Sequence, residues 1–135
     1  MSYGAAAALQ AAIYQKLVAD SGLDALVGGA IYDAAPPGAA IGTYVSLGPE
    51  VVSDASSKTG KGASHEFTIS IVTDAAGFQT AKAIAGAVTD ALDGADLNLS
   101  RGTLVGLWFL RARARRVEDA DVRRIDLYFR ARVEV

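Results

Sequence analysis

Residues 107–135 read LWFLRARARRVEDADVRRIDLYFRARVEV, and the alternation inside this stretch decides the fold. Apolar or small side chains recur at every second position on both sides of EDAD, which is the period of a strand with one buried face. In the first arm, Leu104, Trp108, Leu110, Ala112 and Ala114 form an apolar set, and Arg111, Arg113 and Arg115 alternate with it. In the second arm the apolar set is Ile125, Leu127, Phe129, Ala131 and Val133. Its polar set is Arg124, Asp126, Arg130, Arg132 and Glu134. A four-residue EDAD turn pairs odd positions with even ones, so both apolar sets fall on the same face. This predicts a hairpin of 104–117 and 122–134, with Trp108 opposite Ala131, Leu110 opposite Phe129 and Arg113 opposite Asp126.

The polar face of that hairpin is the unusual feature. It places Arg115 opposite Arg124, a like-charge contact that costs energy without an intervening anion. Leu107, Phe109 and Tyr128 share this face, which makes it apolar for a solvated surface. Strands of about 13 residues span roughly 40 Å at ~3.3 Å per residue, so one end is expected to overhang the core. Arginine stems covering apolar neighbours would give a solvated face. Phe109 and the unpaired arginines favour a protein–protein surface. Within the hairpin only Asp126 and Glu134 offset Arg111, Arg113, Arg115, Arg124, Arg130 and Arg132. Some of these arginines should therefore pair with carboxylates outside it, in an adjacent copy of the chain.

Outward from the hairpin, Ser2 can cap a helix running to about Asp20, with Ala6, Leu9, Ile13 and Leu17 on one face. A short second turn follows, with Ser21 and Asp24 as a capping box and Gly28-Gly29 as its stop. A short extended piece lies at Ile31-Tyr32, and Pro36-Pro37-Gly38 forces an irregular connection. Thr43 to about Val52 reads as a strand with a bulge or edge position at Gly48-Pro49. Ser53–Ser64 reads as a long polar loop whose Ser, Gly and Lys cannot build a core. It is expected to be mobile in the free subunit and ordered by a partner, Lys58 and Lys61 meeting acidic groups there. HEFTISIVT alternates Phe67, Ile69 and Ile71 against polar neighbours as a half-buried strand. Asp74 is expected to cap a helix with the stripe Phe78, Ala81, Ile84 (or Ala85), Val88 and Leu92, ended by Gly94. The result is one α+β domain over residues 1–135. It has a mainly antiparallel sheet of about four strands, two main helices on one face and the long C-terminal hairpin.

Composition narrows the function. With 51% hydrophobic and 21% charged residues the chain reads as a folded globule. It has no cysteine, hence no disulfide framework or thiolate chemistry, which fits a reducing, cytoplasmic setting. No signal peptide is expected, and no apolar run approaches the roughly 20 residues of a membrane span. Residues 1–100 hold four lysines and ten acidic residues, net −6, whereas residues 101–135 hold nine arginines and five acidic residues, net +4. Arginine alone in the second part suits planar, bidentate or stacked contacts. His65, the single histidine, reads as a surface residue beside Glu66. One histidine without cysteine does not supply a zinc set, so neither metal nor cofactor is expected. TGKGAS lacks the spacing of a phosphate-binding loop, and no serine lies in a nucleophile elbow, so no enzyme is expected.

The succession IYDAAPPGAAIGTYVSLGPEVV, a polar loop, HEFTISIVTDAAGFQTAKAIAGAVTDAL and the closing LVGLWFLRARARRVEDADVRRIDLYFRARVEV resembles the small tail-completion, or tail terminator, proteins of tailed phages, prophages and gene transfer agents. Ile31-Tyr32-Asp33 with Pro36 following, Tyr44-Val45, Leu47-Gly48 and the final FRARVEV carry the resemblance, which covers nearly the whole chain. It implies an α+β virion subunit forming a homo-oligomeric ring, usually a hexamer, at the head-proximal end of the tail. Such a ring ends polymerisation of the major tail tube protein and meets a head-side connector or stopper. DNA passes through its lumen unread, no membrane is involved, and there are no catalytic residues to carry over. The subunit would be cytoplasmic during assembly and then part of the particle's tail. The resemblance supplies a partner for the polar face, Phe109 included: a neighbouring subunit or the adjoining ring. The alternative is a nucleic-acid-binding module using that face. The acidic balance and the lack of a stacking platform among the arginines count against it.

Overall fold

In a computed structural model, residues 3–33, 42–58, 60–117 and 121–135 are described. The expected cap Ser2, the Pro36-Pro37-Gly38 connection and Glu118–Ala120 of the hairpin turn lie outside them. Helices α1 (Ala6–Ala19) and α2 (Ser21–Val27) come first, then strands β1 (Ile31–Tyr32), β2 (Tyr44–Asp54) and β3 (Gly62–Thr73). Helix α3 (Gln79–Leu92) precedes the hairpin of β4 (Thr103–Val117) and β5 (Val122–Glu134). The sheet has five strands in the order β1-β2-β3-β5-β4, antiparallel except where β1 lies parallel to β2. The expected α+β class stands. The strand count rises by one because Ile31 and Tyr32 pair with Val45 and Ser46.

One face of the sheet is apolar and covered by the helices. Ile69, Ile71, Leu127, Phe129 and Val45 are buried there against Leu9, Ile13 and Leu17 of α1 and Ile84, Val88 and Leu92 of α3. The α3 stripe is the one its helical period predicts. Helix starts depart from expectation in both places where a side-chain cap is assigned. Asp20, not Ser21, caps α2, its carboxylate accepting from the Leu23 amide at 2.8 Å. Asp74 sits too far ahead of α3 to cap it and instead accepts from the Gly42 amide. Gly28 ends α2 in the left-handed region with φ 59°, where a β-carbon would be strained.

The β2–β3 connection is tighter than the sequence suggests. Ser53 and Ser64 are paired across β2 and β3, so the polar loop shrinks to residues 55–61. There Ser56 Oγ donates to Asp54 and receives the Gly62 amide, and Arg132 donates to the Ala55 carbonyl at 2.8 Å. Short polar side chains that cannot form a core thus hold the turn by local hydrogen bonds. Lys58 and Lys61 remain exposed on it. β5 is covered along its length by its pairing with β3 from Arg123 to Glu134, but the outer strand overhangs the core as expected: residues 108–116 of β4 are all exposed, Ala112 and Ala114 of the expected apolar face included. At Gly48-Pro49 the register between β2 and β3 shifts by a bulge, as the sequence predicts.

His65 is buried, not a surface residue: it lies between Val52 and Ala131 on the helix-covered face, 0% exposed. Neither ring nitrogen has a hydrogen-bond partner among the described residues, and Glu50 Oε2 stands 4.0 Å from Nδ1. Glu50 also receives the hydroxyl of Tyr3, drawing the start of the described chain onto the sheet. Burial lowers the His65 pKa below its ordinary 6.5, with Glu50 opposing the shift. The unfolded chain therefore binds the proton more readily than the folded one. Stability is full above the unfolded value of about 6.5 and declines as pH falls below it, until the folded pKa is reached. Urea unfolding between about pH 8 and 5 should show this decline in the native chain and lose it in His65→Leu. An unchanged slope in the variant would place the pH dependence elsewhere.

Candidate functional site

The uncovered face of the sheet carries the arginines, but one extra residue decides which neighbours they have. From the turn as far as Arg111 the predicted register holds: Arg115 faces Arg124, Arg113 faces Asp126 and Ala112 faces Leu127. Between Phe109 and Arg111 the register shifts, leaving Leu110 as a bulge residue. Phe109 then pairs with Phe129, Trp108 with Arg130 and Leu107 with Ala131. The expected Trp108–Ala131 and Leu110–Phe129 pairs are therefore not formed. Leu107 turns into the core at 1% exposure, and Phe109 lies beside Phe129 with ring centroids 5.7 Å apart. Trp108 moves to the arginine face, 45% exposed. A second shift between Leu104 and Gly106 returns Leu104 to the inner face opposite Val133.

Trp108 can lie flat because the residue two positions back on its face is glycine. A β-carbon on Gly106 would sit 2.3 Å from the indole ring. The tryptophan thus covers a stretch of backbone that a larger side chain would hold away from it.

The arginines are more nearly neutralised within the chain than the hairpin alone suggests. Asp126 receives Ser70 Oγ at 2.6 Å and Arg124 Nε at 2.8 Å, and Arg115 Nε lies 4.0 Å from its second oxygen. Arg124 also donates to Ser70 at 3.0 Å, closing a three-membered network across β3 and β5. One buried carboxylate thereby offsets the like-charge pair Arg115–Arg124. Burial works to raise the Asp126 pKa, and the hydrogen bonds from Ser70 and Arg124 with the two arginine charges outweigh it, so it is lowered.

Farther along β5, Arg130 donates through Nε and Nη2 to Glu66 Oε1. Glu66 was absent from the hairpin's charge balance because it comes from β3, whose pairing with β5 brings it opposite. Arg132 reaches the Ala55 carbonyl and lies 3.8 Å from Glu134. Arg116 pairs with Asp121, and Arg123 donates to the Ala75 carbonyl while lying over Phe78.

Two arginines of the hairpin face stay available to a partner. Arg111 stacks on Tyr128 with its guanidinium carbon 3.9 Å from the ring centroid, leaving its charge uncompensated. Arg113 has no hydrogen bond or ion pair among the described residues. Around them Leu110 is 42% and Val51 69% exposed. A groove of about 310 Å³ runs between Val51, Thr68, Leu110, Arg111 and Tyr128. Tryptophan, tyrosine and arginine around exposed aliphatic carbon are the side chains that dominate protein interfaces. The sequence-predicted site residues thus separate. Phe109 belongs to the inner face, Arg115, Arg124, Arg130 and Arg132 have partners within the chain, and Arg111 and Arg113 face outward. Trp108 and Leu110 join this surface unpredicted, since only the bulge exposes them. Among the described residues no cluster of His, Cys, Asp and Glu could hold a metal ion, and no helix is long and apolar enough to cross a membrane.

Comparison with known proteins finds the profile of the family described as "tail completion protein gp17" matching residues 11–134. Among solved structures, a chain in the "virion of native gene transfer agent (GTA) particle" is 73% identical, with a TM-score of 0.92 over 99% of this chain and 100% of that one. No curated protein matches the chain.

The network around Asp126 yields a stability test. In Asp126→Asn the charge is lost while the half-buried Arg124 and the exposed Arg115 remain without a carboxylate, so unfolding should become about 1–3 kcal/mol easier. Because its folded pKa is lowered, the native carboxylate contributes fully above the ordinary 3.8 and loses its contribution as pH falls through the folded value. Denaturant unfolding near pH 7 checks the magnitude. Equal stability of native and variant chains would mean the network adds nothing.

Proposed function

The chain belongs to the tail completion protein gp17 family, and from this we propose that it forms a ring at the head-proximal end of a tail tube. It is a structural virion subunit of the tail, not an enzyme. The ring, of six copies, ends polymerisation of the major tail tube protein and offers its other side to a head-side connector or stopper. DNA passes through the lumen. The observation that carries this reading is the 73% identity, over 99% of the chain, to a subunit of a gene transfer agent virion.

The geometry supports an assembly role in two ways. The outward side chains are of interface type, Trp108, Leu110, Arg111 and Arg113. Most arginines are committed to partners in the same chain, which leaves few for a phosphate backbone. Lys58 and Lys61 stand exposed on the β2–β3 turn, where they would meet acidic groups of a neighbour or of the tube.

Replacing Arg111 and Arg113 together by Gln should leave the fold intact. Both are exposed, and the loss of the Tyr128 stack costs about 0.5–1 kcal/mol. Tail completion should fail, seen by electron microscopy as overlong tubes or tails without heads. Normal, head-joined tails from this variant would show that the arginines only solvate the sheet.

A further inference from the structure

The two edges of the sheet differ in charge and in shape. At one edge β4 presents Leu110, Trp108, Arg111 and Arg113 outward, and residues 101–135 carry net +4. The backbone edge of β4 is closed at Leu107 and Phe109, where the Gly94 amide and the Asp93 carboxylate cap it. Beyond the bulge, no backbone hydrogen bond other than those to β5 reaches residues 111–117 among the described residues. The opposite edge, β1, adjoins α1, and residues 1–33 carry one lysine and three aspartates. Between α1 and the sheet a groove of about 420 Å³ is lined by Gln10, Tyr14, Ile31, Tyr32, Asp33 and Leu47. Tyr32 is 38% exposed at its rim, and Asp33 holds one oxygen toward Gln10. Four strand spacings, about 19 Å, separate the two edges.

We propose that the β4 edge of one copy seats in the α1–β1 groove of the next, with Trp108 and Leu110 entering the groove and Arg111 or Arg113 reaching Asp33. This rests on the ring described above and names the surfaces that close it. Charge is complementary across the contact: a cationic edge with exposed apolar side chains meets a concave, mostly apolar groove bearing a carboxylate. The two surfaces are different and lie on opposite sides of one molecule, so the contact is head-to-tail. Repeated contacts of that kind close into rings or continue as filaments, whereas a self-complementary patch would stop at a dimer. The cap on β4 at residues 107–109 prevents strand addition there, so at Trp108 the contact is made by side chains.

Disulfide trapping in assembled particles tests the contact, since the chain has no cysteine of its own. Particles carrying Leu110→Cys with Tyr32→Cys should give, on oxidation, a ladder of covalent multimers of this subunit, and either single variant should stay monomeric. Arg111→Glu should reduce incorporation into particles at least about tenfold, and adding Asp33→Arg should restore most of it. Full incorporation of the cysteine pair with no ladder would overturn the contact while leaving the ring intact. A covalent dimer from Leu110→Cys alone would also overturn it, in favour of a two-fold contact. Absence of the native subunit from particles would overturn the ring and the contact together.

Discussion

A strand sends successive side chains to opposite faces, so a single added residue exchanges the faces of everything before it. In β4 that residue is Leu110, and the surface of this protein follows from it. Without the bulge, Trp108 and Leu110 would enter the core, and Leu107 and Phe109 would stand among the arginines. With it, Leu107 is buried, Phe109 flanks the Phe67–Phe129 stack, and the tryptophan lies across Gly106 on the open face. The second irregularity at Val105 then restores the pairing that joins the start of β4 to the end of β5.

The charge on that face obeys a second constraint. Arginines on paired strands repel unless a carboxylate stands among them, and the sheet supplies one wherever they crowd. Asp126 serves Arg115 and Arg124, and Glu66 serves Arg130. What remains uncompensated is concentrated at the outer strand, where Arg111 and Arg113 adjoin exposed Leu110 and Trp108. A chain acidic overall thus carries a cationic edge without carrying a cationic face, which favours an oriented contact between proteins over non-specific binding of polyanions.

Much of this was legible in the sequence. Period-two alternation in residues 107–135 gave the hairpin and its register near the turn, and the α3 stripe followed from its helical spacing. The Gly48-Pro49 bulge was visible because proline cannot donate to a ladder. Leu110 carried no such mark: a leucine in an alternating run fits either face, and only pairing with the neighbouring strand fixes its place. His65 was misplaced for a related reason. Its polar neighbours suggested surface, whereas its odd position in β3, shared with Phe67 and Ile69, puts it on the covered face. The role of Glu66 needed the β3–β5 pairing, a contact between residues 64 positions apart in the chain. Local pattern could give the elements, while the site depended on which strands became neighbours.

Trp108 is the chain's single tryptophan, and its fluorescence reports the bulge and the interface together. The most direct measurement is acrylamide quenching of that emission in the isolated subunit and in assembled particles lacking other tryptophan signals through selective labelling. The subunit should show red-shifted emission and ready quenching, and assembly should shield the indole and shift its emission to the blue. A blue-shifted, protected tryptophan in the isolated, folded subunit would mean Trp108 points into the core and the bulge is not formed. Equal quenching in subunit and particle would mean the arginine edge stays open to water in the assembled tail.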